Sequence, residues 1–272
     1  MITIPCAVAT PYFKWQIDLF QYRHFQVYGD DAVNKAIIPI VKRNHITDEI
    51  QHDVDWDLRL PYKMVDSVLD MLNLTESQHV VNNVFTAAYQ VSRDLDDDEY
   101  LEIIDADLFH LKKHDGYLPK DDEVVVDATY ENWHLHINGA NYIIVEEHLK
   151  HDNEGYMNGG FNVILKKKTF DLIYDEAVEV SIKIAKEHPN SSHSWWALMY
   201  GLNVACHNHK IKMIDERNCY YPHINEINDN QHIAHYSCDP KFNKHKYPNV
   251  DSATFPDNKF YNIVKEWMNA TS

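Results

Sequence analysis

The stretch Tyr100-Leu101-Glu102-Ile103-Ile104-Asp105-Ala106-Asp107-Leu108-Phe109 reads as an apolar strand that ends in two aspartates one residue apart. On an extended backbone, residues i and i+2 project to the same side. Asp105 and Asp107 are therefore placed to face one divalent cation at the mouth of a sheet. Mg²⁺ and Mn²⁺ prefer oxygen ligands and commonly hold a diphosphate with only one or two protein carboxylates. An acidic pair after a strand also fits a solvated loop, so the rest of the chain has to separate the two readings.

Around this stretch the pattern alternates. Strand-like runs cover residues 3–10, 35–41, 100–105, 123–128, 142–145, 161–165 and 210–214, and helix-like runs cover 62–72, 76–93, 168–187 and 194–205. In the second helical run Val80, Val84, Ala87, Ala88 and Val91 recur at helical spacing, which gives one apolar face. Strands alternating with helices predict an α/β fold, a largely parallel sheet between helices. Ligands of such open sheets bind beyond the carboxyl ends of the strands, and Asp105 and Asp107 stand at such an end. No repeat, low-complexity tract or Pro/Gly-rich linker divides the chain, so a single domain over 1–272 is expected.

Composition narrows the function classes. A hydrophobic fraction of 44% with 12% aromatics describes a folded chain, and no apolar run reaches the roughly 20 residues that span a bilayer. Residues 1–10 lack a basic n-region and read as a first strand rather than a signal peptide. Cys6, Cys206, Cys219 and Cys238 form no Cys-x-x-Cys, which suits a reducing cytoplasm, the expected location, without membrane partners. The net charge of −17 argues against a protein that coats nucleic acid non-specifically. Local basic clusters exist only at Lys166-Lys167-Lys168 and at Lys241, Lys244 and Lys246.

Four further segments carry chemistry. The loop after the first strand, from Thr10 through Tyr12 to Trp15, could hold a nucleotide base by stacking on Tyr12, or Tyr12 and Trp15 could simply start the core. Asn158-Gly159-Gly160 precedes a strand, where paired glycines either let backbone approach a sugar or make a plain turn. Trp195-Trp196 opens a helix as an apolar platform or as core. His235 could complete the metal shell of Asp105 and Asp107, and a nearby lysine could neutralise a phosphate.

Together these segments resemble the metal-dependent GT-A glycosyltransferases. Asp105-Ala106-Asp107 matches the Asp-x-Asp of that family, Asn158-Gly159-Gly160-Phe161 looks like the Asn-x-Gly of its retaining members, and His235-Tyr236 with Lys241 looks like its late His-aromatic…Lys signature. The likeness is closer to hydroxyproline O-arabinosyltransferases and peptidyl-serine galactosyltransferases, through Tyr12-Phe13-Lys14-Trp15-Gln16, Pro61-Tyr62-Lys63 and Leu198-Met199-Tyr200-Gly201. Leu198 departs from that pattern, which has an acid there. The resemblance runs from the first strand to Lys241. It implies a Rossmann-like mixed sheet sandwiched by helices, with 1–110 as the nucleotide-binding half and 111–272 as the acceptor-binding half. It implies Mn²⁺ or Mg²⁺ on Asp105, Asp107 and His235, with Asp107 and Asn158 catalytic. It implies a UDP-sugar donor, carrying a pentose such as arabinose or a hexose, held by Thr10, Tyr12, Lys63, Asp105, Gly159, Gly160 and Lys241. An anchor-free chain of this type implies a phage or bacterial source, with hydroxymethylated cytosine in phage DNA as acceptor; a protein or glycan acceptor is the alternative.

Two other classes stay open. A metal-dependent nucleotidyltransferase can use a similar Asp-x-Asp but would carry a Gly/Lys-rich phosphate loop that this chain lacks. A zinc-stabilised binding module could draw on Cys206, His207, His209, Cys219, His223, His232 and Cys238, although no paired Cys-x₂₋₄-Cys knuckle occurs among them.

Overall fold

Apolar runs that alternate between two burial partners build the sheet. The strands are β1 (Ile2–Val8), β2 (Ile38–Val41), β3 (Arg43–Asn44), β4 (Glu49–Ile50), β5 (Tyr62–Val65), β6 (Tyr100–Asp105), β7 (Leu108–His110), β8 (Glu123–Asp127), β9 (Gly160–Lys166), β10 (Lys212–Asp215), β11 (Cys219–Tyr220) and β12 (Ile233–His235). The helices are α1 (Pro11–Tyr28), α2 (Val68–Leu72), α3 (Asn83–Ser92), α4 (Lys167–Glu187), α5 (Ser192–Asn208) and α6 (Lys259–Thr271). This computed structural model describes residues 1–44, 49–50, 56–72, 82–128, 144–152, 156–157, 159–189, 192–222, 227–236, 239 and 241–271.

Seven strands form one mixed sheet in the order β10-β8-β9-β6-β1-β2-β5. β6, β1, β2 and β5 run parallel, β8 and β10 run parallel, and β9 lies antiparallel between β6 and β8. The sheet thus takes strands from both sides of residue 110. β1 and β6 set the layers. Ile4, Cys6, Val8, Leu101 and Ile103 pack under α3, α4 and α5, with Phe85, Phe170 and Leu198. Ala7 and Ile104 face the opposite side with Ile17 and Phe20 of α1. Period-two alternation puts each strand's two faces into two separate apolar layers, as a sheet buried on both sides requires. Beyond α1 a small sheet, β11-β12-β7, covers an aromatic cluster of Trp15, Phe109, Tyr236, Phe242, Phe260 and Trp267.

Several expected elements take other forms. The segment 10–15 is not a loop: Pro11 starts an 18-residue helix, with Thr10 extended at the N-cap position. Proline is preorganised for a first helical turn, and α1 hides its period because it buries polar Gln16, Gln21 and His24 along with its apolar side. Residues 62–72 form β5 and the short α2 in place of one helix, because 62–65 pairs with β2. Of the strand expected at 142–145, the described part is helical at 144–146. The helix expected over 76–93 is α3, starting at Asn83, and residues before 82 in that run lie outside the described residues.

Helices α4 and α5 approach unusually closely at Gly201. A Cβ there would lie 2.1 Å from the Ala177 carbonyl oxygen, so only glycine fits. At Gly29, which sits at φ +61° after α1, a Cβ meets nothing within 4 Å. Gly201→Ala should therefore cost several times more stability than Gly29→Ala, whose penalty is confined to the left-handed backbone at about 1 kcal/mol. Urea denaturation of both variants checks this, and equal losses would mean that the helix pair is loosely packed.

Candidate active site

β1 and β6 deliver their carboxyl ends side by side, with Cys6 in register with Asp105. β6 stops at Asp105, and Ala106 and Asp107 form a turn into β7. Convergence of the two carboxylates therefore comes from this turn, not from the strand pleat expected from i, i+2 spacing. The backbone carbonyl of Asp107 accepts the Tyr236 N–H, next to His235 at the end of β12. Ligand atoms of Asp105, Asp107 and His235 all lie within 4.8 Å of one another. His235 Nε2 stands 3.3 Å from Asp107 Oδ1, and its Nδ1 is buried without a hydrogen-bond partner.

A lysine balances this charge. Lys244 Nζ lies 2.5 Å from Asp107 Oδ2. Burial raises the Asp105 carboxyl to about 6, and the Asp107 charge adds to it, while His235 and Lys244 pull the other way. Asp107 is the more buried of the two, but there His235 and Lys244 outweigh burial and hold it well below the usual carboxylate range. The pair is a buried like-charge couple, stable only where a cation compensates it. Two carboxylates and one imidazole suit Mn²⁺ or Mg²⁺ with substrate oxygens completing the shell. His235 Nε2, turned toward Asp107, and the raised Asp105 carboxyl both fit such an ion.

Tyr12 comes to the same place. Lys244 and Asp107 are the nearest charges to its hydroxyl, which burial raises from the usual tyrosine value, and its ring stacks on His245 with centroids 5.7 Å apart. Its neighbour Trp15 instead points into the aromatic cluster. Thr10 Oγ1 is buried with no partner at the end of β1. The other expected site residues fall elsewhere. Lys241 Nζ reaches the exposed carbonyl of Thr254 at 3.3 Å, and Lys63 on β5 reaches the Gln90 carbonyl at 3.2 Å. A Cβ on Gly159 would collide with Val126 and Met213, and one on Gly160 would press on the Asp127 carbonyl. The close approach that the glycine pair permits is thus to β8 and β10. Asn158 lies outside the described residues, as does the side chain of Trp195, and Trp196 is core.

Members of the expected zinc group are dispersed. Cys206 is buried in α5 with its thiol pushed up to about 12 by that burial. His207 contacts the Asp152 carbonyl, His209 pairs with Glu176, and His232 pairs with Glu102. His223 and Cys238 lie outside the described residues.

Sequence reasoning missed the support beneath the site. Glu102, fully buried in β6, takes His110 Nε2 at 2.9 Å, His232 Nε2 at 2.7 Å and the Thr3 hydroxyl at 2.8 Å. Burial alone would raise its carboxyl, but the two imidazoles hold it well below the usual range. The available signal was a glutamate inside an otherwise apolar strand. Asp127 at the end of β8 was also missed; it accepts the Cys219 N–H at 2.9 Å and the Tyr221 hydroxyl at 3.4 Å.

No protein-family model and no curated protein matches the chain. Solved structures do. Galactosyltransferase LgtC in complex with donor and acceptor sugar analogs aligns with a TM-score of 0.52 at 11% identity, over 97% of this chain and all of that one. An active-site mutant of LgtC aligns with a TM-score of 0.57, also at 11% identity, over 99% of this chain and 96% of that one. The chain has the GT-A fold, a mixed seven-stranded sheet flanked by helices.

The raised Asp105 carboxyl carries a sign. Its folded value of about 6 exceeds the unfolded value of roughly 3.9. Its favourable contribution is therefore complete below about pH 4 and lost as pH rises through about 6. Asp105→Asn should raise the melting temperature of the metal-free protein at pH 7.5 and leave it unchanged near pH 4, by calorimetry in chelator. A lower melting temperature at pH 7.5 would show that the two carboxylates do not repel.

Proposed function

We propose that this chain is a metal-dependent glycosyltransferase that moves a sugar from a UDP-sugar to a hydroxyl acceptor. The observation that carries the reading is the convergence of Asp105, Asp107, His235 and Lys244 at the carboxyl end of β6, within a GT-A fold. Asp105, Asp107 and His235 would hold Mn²⁺ or Mg²⁺. When bound, such an ion supplies positive charge to the diphosphate that departs.

The protein's own residues do the rest. Lys244 gives up its contact with Asp107 to a phosphate oxygen, where its compact charge stabilises the leaving group. Tyr12 and His245 offer a stacked aromatic platform for the base at the end of β1. Residues 1–110 thereby form the larger part of the donor half, and 111–272 return His235 and Lys244 to it while building the acceptor side. In transfer, the acceptor oxygen bonds to the anomeric carbon and the bond from that carbon to the phosphate oxygen breaks. Asp127 is held by the Cys219 N–H and Tyr221. The departing phosphate oxygen is thus the natural recipient of the acceptor proton, as a retaining course allows.

The acceptor implied by the family resemblance, hydroxymethylated cytosine in DNA, needs free positive charge beside the site. Lys166 and Lys168 both pair with Asp98 and Asp121, Lys167 pairs with Asp97 and Asp171, and Lys244 pairs with Asp107. Among the described residues Lys241 meets only the Thr254 carbonyl, so the positive charge that these clusters leave for a polyanion is confined to the 241–246 segment, and a neutral hydroxyl acceptor is the reading we favour.

The test is UDP release from UDP-glucose, UDP-galactose and UDP-arabinose with and without Mn²⁺. Lys244→Ala should lower turnover by about 10²-fold or more, the scale of one lost electrostatic stabiliser, while Lys241→Ala stays near wild type. Tyr12→Ala should weaken donor binding with little effect on turnover at saturation. Absence of metal-dependent UDP release with every donor, from a protein whose melting is unchanged, would remove the assignment.

A further inference from the structure

We infer that the chain carries a second divalent-cation site, built from residues outside the Asp105 cluster: Glu147, His148 and Glu187. It lies where the turn after residues 144–146 meets the C-terminus of α4. Ligand atoms of the three residues lie within 4.8 Å of one another.

The imidazole is the informative group. The His148 side chain is only 9% exposed, and its Nε2 is buried with no hydrogen-bond partner. A buried polar nitrogen without a partner is costly and calls for an explanation. It points between two carboxylate oxygens, 3.8 Å from Glu147 Oε1 and 3.8 Å from Glu187 Oε2. That separation is too long for a hydrogen bond. It is close to what a shared ion demands: metal–ligand bonds of roughly 2.0–2.2 Å in tetrahedral array set ligand atoms about 3.4 Å apart. Contraction of a few tenths of an ångström would close the shell.

The backbone holds this arrangement in place. His148 N–H bonds to the Val145 carbonyl at 2.9 Å, its own carbonyl accepts Asn208 Nδ2 at 3.0 Å, and Lys150 N–H bonds to Asn208 Oδ1 at 2.8 Å. Ile144 and Val145 anchor the turn in a cluster with Val180, Ile184 and Ala185. Glu187 is the last residue of α4, a 21-residue helix whose C-terminal dipole attracts a cation. An open pocket lined by Ile144, Glu146, Glu147 and His188 gives water access to the remaining coordination position.

The donor types match those of the first cluster, but here no substrate diphosphate supplies further oxygens; three protein ligands plus a water suit Zn²⁺, which is the ion to try. Its role would be to clamp the 144–152 turn to α4. Without metal, the same three side chains would form only a loose contact.

The experiment is Zn²⁺ titration of chelator-stripped protein, followed by native mass spectrometry. Asp107→Asn removes a ligand of the other cluster, so the variant should still bind one Zn²⁺. Adding Glu147→Gln and Glu187→Gln to it should weaken that ion at least tenfold; both side chains are largely exposed, so folding is not at risk. His148→Gln should do the same, and the ¹⁵N resonance of the His148 ring should shift on adding Zn²⁺ at pH 7.5. Unchanged Zn²⁺ affinity in the Glu147→Gln/Glu187→Gln protein, or a ring that responds to acid but not to Zn²⁺, would overturn the site and leave only the loose contact.

Discussion

A fully buried carboxylate underlies the site. Glu102 has no contact with water, and it binds His110 of β7, His232 at the start of β12 and Thr3 of β1 at once. A lone ion there would be prohibitive, and paired it is worth keeping because both oxygens accept hydrogen bonds. The network extends outwards: His24 on α1 faces His110 with their Nδ1 atoms 3.4 Å apart, and burial lowers His24 to about 3, which keeps it neutral. The ring of His114 stacks edge-on against His232. One charge therefore fixes the central strands, the small sheet and α1 relative to each other. Asp107 and His235 are each three residues from an imidazole that Glu102 holds, so their positions inherit that geometry.

Above the network the charges are arranged the other way. Glu102 is fully compensated, whereas Asp105 is not. Its neighbours are a second carboxylate, an imidazole and an ammonium that serve Asp107 more than Asp105, which is why one carboxyl goes up and the other down. A site with one poorly compensated carboxylate beside another is preorganised for a cation, because binding relieves a cost already present in the folded chain. Lys244 is the placeholder in this balance: a flexible amine can leave Asp107 once other positive charge arrives, which a rigid guanidinium fork would do less readily.

Much of this was legible in the sequence. β6 begins and ends where its apolar run does, and Asp105, Asp107 and His235 come together as their residue types suggested, although a turn and not the strand pleat brings the two carboxylates to one place. These features are local, or depend on a strand's carboxyl end, which topology nearly dictates. What escaped depends on pairing over long distance. Tyr62–Val65 is a strand only because β2 lies beside it, and its exposed Tyr62 and Lys63 gave no alternation to read. α1 hid behind an aromatic, polar-buried sequence. Lys241 and Lys244 stand three residues apart in one basic cluster, and only the fold of the 241–250 segment decides which reaches Asp107. The glycine pair was read correctly as a place of close approach, but the approaching partner is Val126, Met213 and the Asp127 carbonyl.

The global charge places a further demand on the proposed chemistry. A chain with a net charge of −17 repels a nucleotide diphosphate at long range. Lys166, Lys167 and Lys168, which could have offset this, are locked onto aspartates around the β6–β9 end of the sheet. Screening at physiological ionic strength limits that repulsion to about 8 Å, so the decisive charges are those inside the pocket. Among the described residues Lys244 is the lysine paired with the Asp105–Asp107 couple. On the glycosyltransferase reading, donor affinity must then rise and fall with metal occupancy more steeply than in a protein with a basic surface, because the Lys166–Lys168 group is already paired with aspartates and cannot substitute for the ion.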